Sequence, residues 1–169
     1  MNRLLTAYDR LIEGLVGLAA AGVAAICLLI IWDVIARNAG LRPPDSTVAL
    51  TEYALLYITL AVAPSLVRSR GHIVITLLLE RLRPAPRRTL ERAILLLCAL
   101  LSVLVAGLAA VLALEAVRQG EIEVRSLDIP RAWLFAPLAV GFLLMAAEFL
   151  RLILRGESLI RPPAERAAL

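Results

Sequence analysis

Apolar residues fill four long stretches of the chain, residues 15–32, 48–67, 93–114 and 129–150, and most charged residues fall in the breaks between them. Each stretch has about the ~20 residues that an α-helix needs to cross a bilayer. None shows the period-two alternation of a barrel strand. Lipid offers the backbone no hydrogen-bond partner, so each run is predicted to be a transmembrane α-helix. The predicted spans lie at approximately 13–35, 47–67, 90–116 and 130–152. What remains is short loops and tails, so residues 1–169 read as a single all-α integral membrane domain.

Punctuation refines the boundaries. Asp33 and Arg37 stand four residues apart and can pair at the far end of the first helix. Gly40 is a candidate cap and Pro43-Pro44 a stop. Asp45 or Ser46 can cap the second helix, which should fade near Gly71. Residues 72–83, apolar at Ile73, Val74, Leu77, Leu78 and Leu82, are too few to span. Arginines flank them, which predicts a short amphipathic helix in the interface, with an extension of the second helix as the alternative.

Pro84 and Pro86 restart the chain for a third helix that ends by Gly120. Residues 121–128 read as a polar external loop and Pro130 as the opening of the fourth helix. Pro137 falls one to two turns into that helix. It removes an N–H, so a neighbouring helix or a local adjustment must satisfy the freed carbonyl. Gly14, Gly17 and Gly22 read as close-packing positions on the first helix.

Composition agrees: 61% hydrophobic residues and a mean hydropathy of +0.86 are too apolar for a soluble domain of 169 residues. The first apolar run is longer than a signal peptide's core and lacks a small-x-small cleavage pattern, so it reads as a retained span. All eighteen basic residues are arginine. Thirteen lie before the first span, between the second and third, or after the fourth, and five lie on the other side. The positive-inside rule then places both termini and the middle loop in the cytoplasm. Topology and anionic headgroups account for a pI near 9.8, so the basic balance implies contact with membrane lipid and no nucleic-acid partner.

Candidate chemistry is sparse. Cys27 and Cys98 fall in mid-span and read as small apolar residues rather than a disulfide. His72 is the only histidine, too few for the paired axial ligands of a membrane haem, and no Cys/His cluster suggests a metal. No nucleophile–base pair and no glycine-rich phosphate loop is present, so neither an enzyme nor a cofactor is expected. Glu52, about a turn inside the second span and some 6 Å below its external edge, is the acid best placed to be functional. Pairing with another helix or subunit, plain interfacial solvation, and ion or proton handling all remain open for it. Glu115 and Glu148, at span ends, read as solvated, with Glu148 and Arg151 as a helix-surface pair. Pumps and secondary transporters carry midplane charges, broken helices or repeats. Their lack points to an accessory subunit, against the alternative of a small autonomous transporter using Glu52.

Several local motifs resemble one family. Asp33-Val34-Ile35-Ala36-Arg37-Asn38 is similar to its first-helix ending, and Thr51-Glu52-Tyr53 to its acidic stretch at the start of the second helix. Arg70-Gly71-His72-Ile73 matches a basic-Gly-His-Ile segment after that helix. Pro130-Arg131-Ala132-Trp133, followed by Pro137 and Gly141, looks like a Pro-x-x-Trp entry to the fourth. In this order and spacing they resemble the small membrane subunit (DctQ-type) of tripartite ATP-independent periplasmic (TRAP) transporters. The chain departs from the family pattern at Val74-Ile75-Thr76 and Ala49-Leu50. A small subunit of the related tripartite tricarboxylate system is the alternative, which the His-Ile and Pro-x-x-Trp features disfavour.

The resemblance implies a bacterial inner-membrane protein paired with a large DctM-type permease subunit. A periplasmic substrate-binding protein would deliver an organic anion, such as a dicarboxylate or sialic acid, and the sodium gradient would drive uptake. It also implies that Glu52, Arg70, Gly71, His72, Pro130, Trp133 and Pro137 serve structure or partner contact. Gly71 would permit a chain reversal and His72 would cap or contact carbonyls.

Overall fold

A computed structural model describes residues 2–41, 46–69, 84–124 and 128–156. The interfacial segment at 72–83, with Arg70, Gly71 and His72, lies outside the described residues, as do Pro43, Pro44 and Asp45. Four helices run in chain order: α1 (Asn2–Asn38), α2 (Ser46–Arg68), α3 (Pro84–Gln119) and α4 (Ala132–Arg155). All four are long and apolar enough to cross a membrane. At ~1.5 Å per residue, the 37 residues of α1 and 36 of α3 extend to about 55 Å, against the ~30 Å of a hydrocarbon core. Both therefore project beyond the lipid. Pro84 and Pro86 sit in the first turn of α3, where a missing N–H costs nothing.

Glycine ends three of these helices, α4 at Gly156 and two others at the positions that the sequence predicts. Gly40 (φ 74°) and Gly120 (φ 63°) adopt the left-handed conformation. The following N–H groups reach back five residues, Leu41 to the Ala36 carbonyl at 2.9 Å and Glu121 to Ala116 at 3.1 Å. Both are Schellman closures, in which a side chain at the glycine position would be strained.

The helices pack in the order α1–α2–α4–α3, with the α3–α4 interface the most extensive. The buried residues of α3 are Glu91, Leu95, Ser102, Ala106, Ala109 and Ala116, spaced by three, four or seven residues. That rhythm gives a narrow heptad-type seam, and its alanines let the α4 backbone come close. Val67 of α2, Leu95 of α3 and Phe149 and Leu152 of α4 form a core at the near end of the bundle, where α1 and α3 begin and α2 and α4 finish. Leucines such as Leu100, Leu108 and Leu114 line the opposite, exposed face of α3, as a lipid-facing surface requires. Cys27 is exposed and Cys98 half-buried, and both are free.

The segment expected to be a polar loop contains a β-hairpin. β1 (Ile122–Val124) pairs antiparallel with β2 (Asp128–Pro130), setting Ile122 opposite Pro130 and Val124 opposite Asp128. Pro130 therefore does not open the fourth helix. It closes a strand, a position where its missing N–H is tolerated, and α4 begins two residues later at Ala132.

Candidate functional site

Three helices are tied together at the near end by charge. Asp9 of α1 is bonded to Arg68 at the end of α2. It also receives both terminal nitrogens of Arg151 of α4, Nη1 at 2.6 Å and Nη2 at 3.4 Å. The Arg68 Nε and Arg151 Nη1 atoms lie 3.7 and 3.8 Å from Glu148 Oε1. Glu148 is only 1% exposed, so the expectation of a solvated surface pair is wrong. Helix α4 turns that carboxylate inward, and two guanidiniums converge on it from different helices. Two acids and two arginines sum to zero, which is how buried charge is tolerated. The Tyr8 hydroxyl adds a long bond of 3.4 Å to the Leu144 carbonyl, and the Arg151 guanidinium sits 6.0 Å over the Tyr8 ring. Charge patterning gave Arg68 no role beyond topology, gave Arg151 only its pairing with Glu148, and did not single out Asp9, because partners up to 142 residues apart leave no local signal.

Beyond the network, α2 approaches both neighbours closely. A Cβ on Gly22 of α1 would stand 3.1 Å from Ile58 Cδ1, and one on Gly141 of α4 would stand 2.9 Å from Leu60 Cβ. Gly14 and Gly17, expected to share the packing role of Gly22, have nothing within 4 Å, so two of those three positions are not contacts. With α2 drawn in as a floor, α1 and α4 become the walls of an apolar groove of about 560 Å³.

Toward the far end, Pro137 interrupts α4 and leaves the Trp133 carbonyl without its usual donor. The Tyr57 hydroxyl of α2 donates to that oxygen at 2.7 Å, which is the neighbouring-helix solution the sequence demands. Replacing Tyr57 with phenylalanine is expected to cost about 1 kcal/mol of fold stability. In a Pro137→Ala background, residue 137 regains its N–H and the same change should cost much less. A double-mutant cycle on thermal unfolding in detergent checks this; equal costs in both backgrounds would refute the link.

At the far end itself, Glu52 is exposed, not midplane, and shares a cleft of about 100 Å³ with Tyr53, Leu56, Glu123 and Leu134. Arg131 braces the hairpin, with Nη1 2.9 Å from Glu121 and Nε 3.5 Å from Glu123, and lies 5.9 Å from the Phe135 ring. Trp133 projects outward, 63% exposed. Among the described residues no group of three or more His, Cys, Asp or Glu side chains could hold a metal.

The family model for the DctQ component of tripartite ATP-independent periplasmic transporters matches residues 26–158. The chain belongs to this family. No curated protein matches it. The matched region of this DctQ component takes in α2, α3, α4 and the hairpin, with Arg68, Glu148 and Arg151, and starts beyond Asp9. Four membrane-crossing helices and this membership make it a multi-pass membrane component of a transporter. Of the residues singled out in the sequence, the structure brings Glu52, Pro130, Trp133 and Pro137 to the far half of the bundle.

Proposed function

We propose that this DctQ component is the small permease subunit of a transporter that imports an organic anion on the sodium gradient, and that it steadies a large DctM-type subunit. The supporting observation is where charge is missing. Residues 14–32, 53–67, 93–114 and 132–147 hold no charged side chain, so the central depth of all four helices lacks a group to coordinate an ion or a carboxylate. At the near end the two acids and two arginines of the buried network balance in charge, although Glu148 Oε1 and Arg151 Nε are enclosed without a hydrogen-bond partner. Substrate and sodium sites on this reading belong to the large subunit.

The arginine bias puts the near end and both termini in the cytoplasm of the bacterial inner membrane. The hairpin and the cleft at Glu52 then face the periplasm, where a substrate-binding protein docks. Exposed Trp32 and Trp133 suit anchoring at the outer interface. Affinity purification of the tagged chain from native membranes tests the proposal. A large multi-span permease should co-purify in near-stoichiometric amount. Purified chain that took up a labelled carboxylate in liposomes by itself would overturn it.

A further inference from the structure

We propose that the groove between α1, α2 and α4 is a phospholipid site, in which one acyl chain lies along α2 while the phosphate meets Arg68 at the near end. The groove is lined almost wholly by apolar atoms, and its one polar lining side chain, Tyr57, has its hydroxyl engaged with the Trp133 carbonyl. Its volume of about 560 Å³ is several times the ~150 Å³ cavity that holds a benzene. At membrane depth no water fills such a space, and hydrocarbon does. Its length fits as well. From Leu15 to Ala25 along α1 is about 15 Å, half the ~30 Å hydrocarbon thickness and so the reach of one leaflet's chain.

Charge selects the leaflet and the kind of molecule. At the near end Arg68 meets Asp9 through Nη2 and stands 3.7 Å from Glu148 through Nε, while its side chain remains 29% exposed, so Nη1 keeps donors for a phosphate oxygen. Arg10 and Arg155 are exposed at the same end. At the far end Glu52, Glu121 and Glu123 outnumber Arg131, which pairs with the latter two, so that end is the less favourable one for an anionic head. An anionic head joined to an apolar tail matches a groove whose α2 side continues from Ala61 for two turns to Arg68.

The site is tested on the isolated full chain, so the outcome is independent of whether a large subunit co-purifies. Delipidated protein is exposed to vesicles of phosphatidylglycerol or of phosphatidylcholine and examined by native mass spectrometry. One phosphatidylglycerol per chain is expected, retained about tenfold better than phosphatidylcholine. Ala21→Phe and, independently, Ala25→Phe place bulk in the groove from exposed positions on α1, and each should lower retention about tenfold. Leu100→Phe, on the exposed face of α3, should leave it unchanged. A photo-crosslinker at position 25 in native membranes should capture lipid. Equal retention of both lipids, retention indifferent to groove-filling, or a crosslink to protein would each overturn the proposal.

Discussion

Gly141→Val is expected to destabilise the bundle by about 1–3 kcal/mol, the range for forcing extra bulk into a packed interface. The clash cannot be relieved by a rotamer change. A Cβ at position 141 would stand 2.9 Å from Leu60 Cβ and 3.0 Å from Leu60 Cδ2, and the first of those atoms is fixed to the α2 backbone. The two helices must therefore separate, which forfeits contacts along the α2–α4 interface. Leu60 is buried and one turn before Pro64, itself fully buried, so this part of α2 has no room to retreat. Gly17→Val supplies the control: the same chemistry in the same membrane, with nothing within 4 Å, should change stability by less than about 0.5 kcal/mol. Thermal unfolding of the detergent-solubilised chain reads both. Equal losses from the two variants would show that glycine acts through helix propensity and not through the close approach.

What was legible in the sequence is what depends on near neighbours. Spans follow from runs of apolar residues, helix ends from Gly40 and Gly120, and the Asp33–Arg37 pair, found at 2.8 Å, from their four-residue spacing. Pro137 even announced that its stranded carbonyl needs an outside donor, although nothing named Tyr57, 76 residues away, as that donor. The hairpin was missed although a signal existed. Ile122 and Val124 are β-branched and flank Glu123 in the alternation of a strand, and Ile129 stands opposite Glu123. Three-residue strands carry too little pattern to outweigh the polar character of the segment.

Glu148 was misread for a different reason. Its place near a span end says that water is close along the membrane normal, but burial is decided by azimuth around the helix. On α4 it lies one turn from Leu144 of the groove and beside Phe149 of the core. Among the three glycines of α1, only Gly22 faces a packed side chain, again a matter of azimuth rather than spacing.

Azimuth also makes Arg151 the most consequential charge in the chain. Arg151→Met is expected to cost about 3 kcal/mol, because removing one partner from a buried ionic group leaves the other charge uncompensated. Asp9, about one-third exposed, keeps Arg68 as a partner. Glu148, almost wholly enclosed, keeps no cation closer than Arg68 Nε at 3.7 Å among the described residues, with the Tyr8 hydroxyl as its other polar neighbour. The penalty should therefore reside in Glu148, and a second substitution can show it. In Glu148→Leu/Arg151→Met both members of the pair become apolar, and most of the lost stability should return, since an apolar replacement of a buried pair is close to neutral. Arg155→Met, exposed at the end of the same helix, should cost no more than a surface pair, below about 1 kcal/mol. Unfolding midpoints of the three variants in one detergent decide the matter. If the double variant were no more stable than Arg151→Met alone, the arginine would be acting through Asp9, and the tie between α1 and α4 would outweigh the enclosed carboxylate.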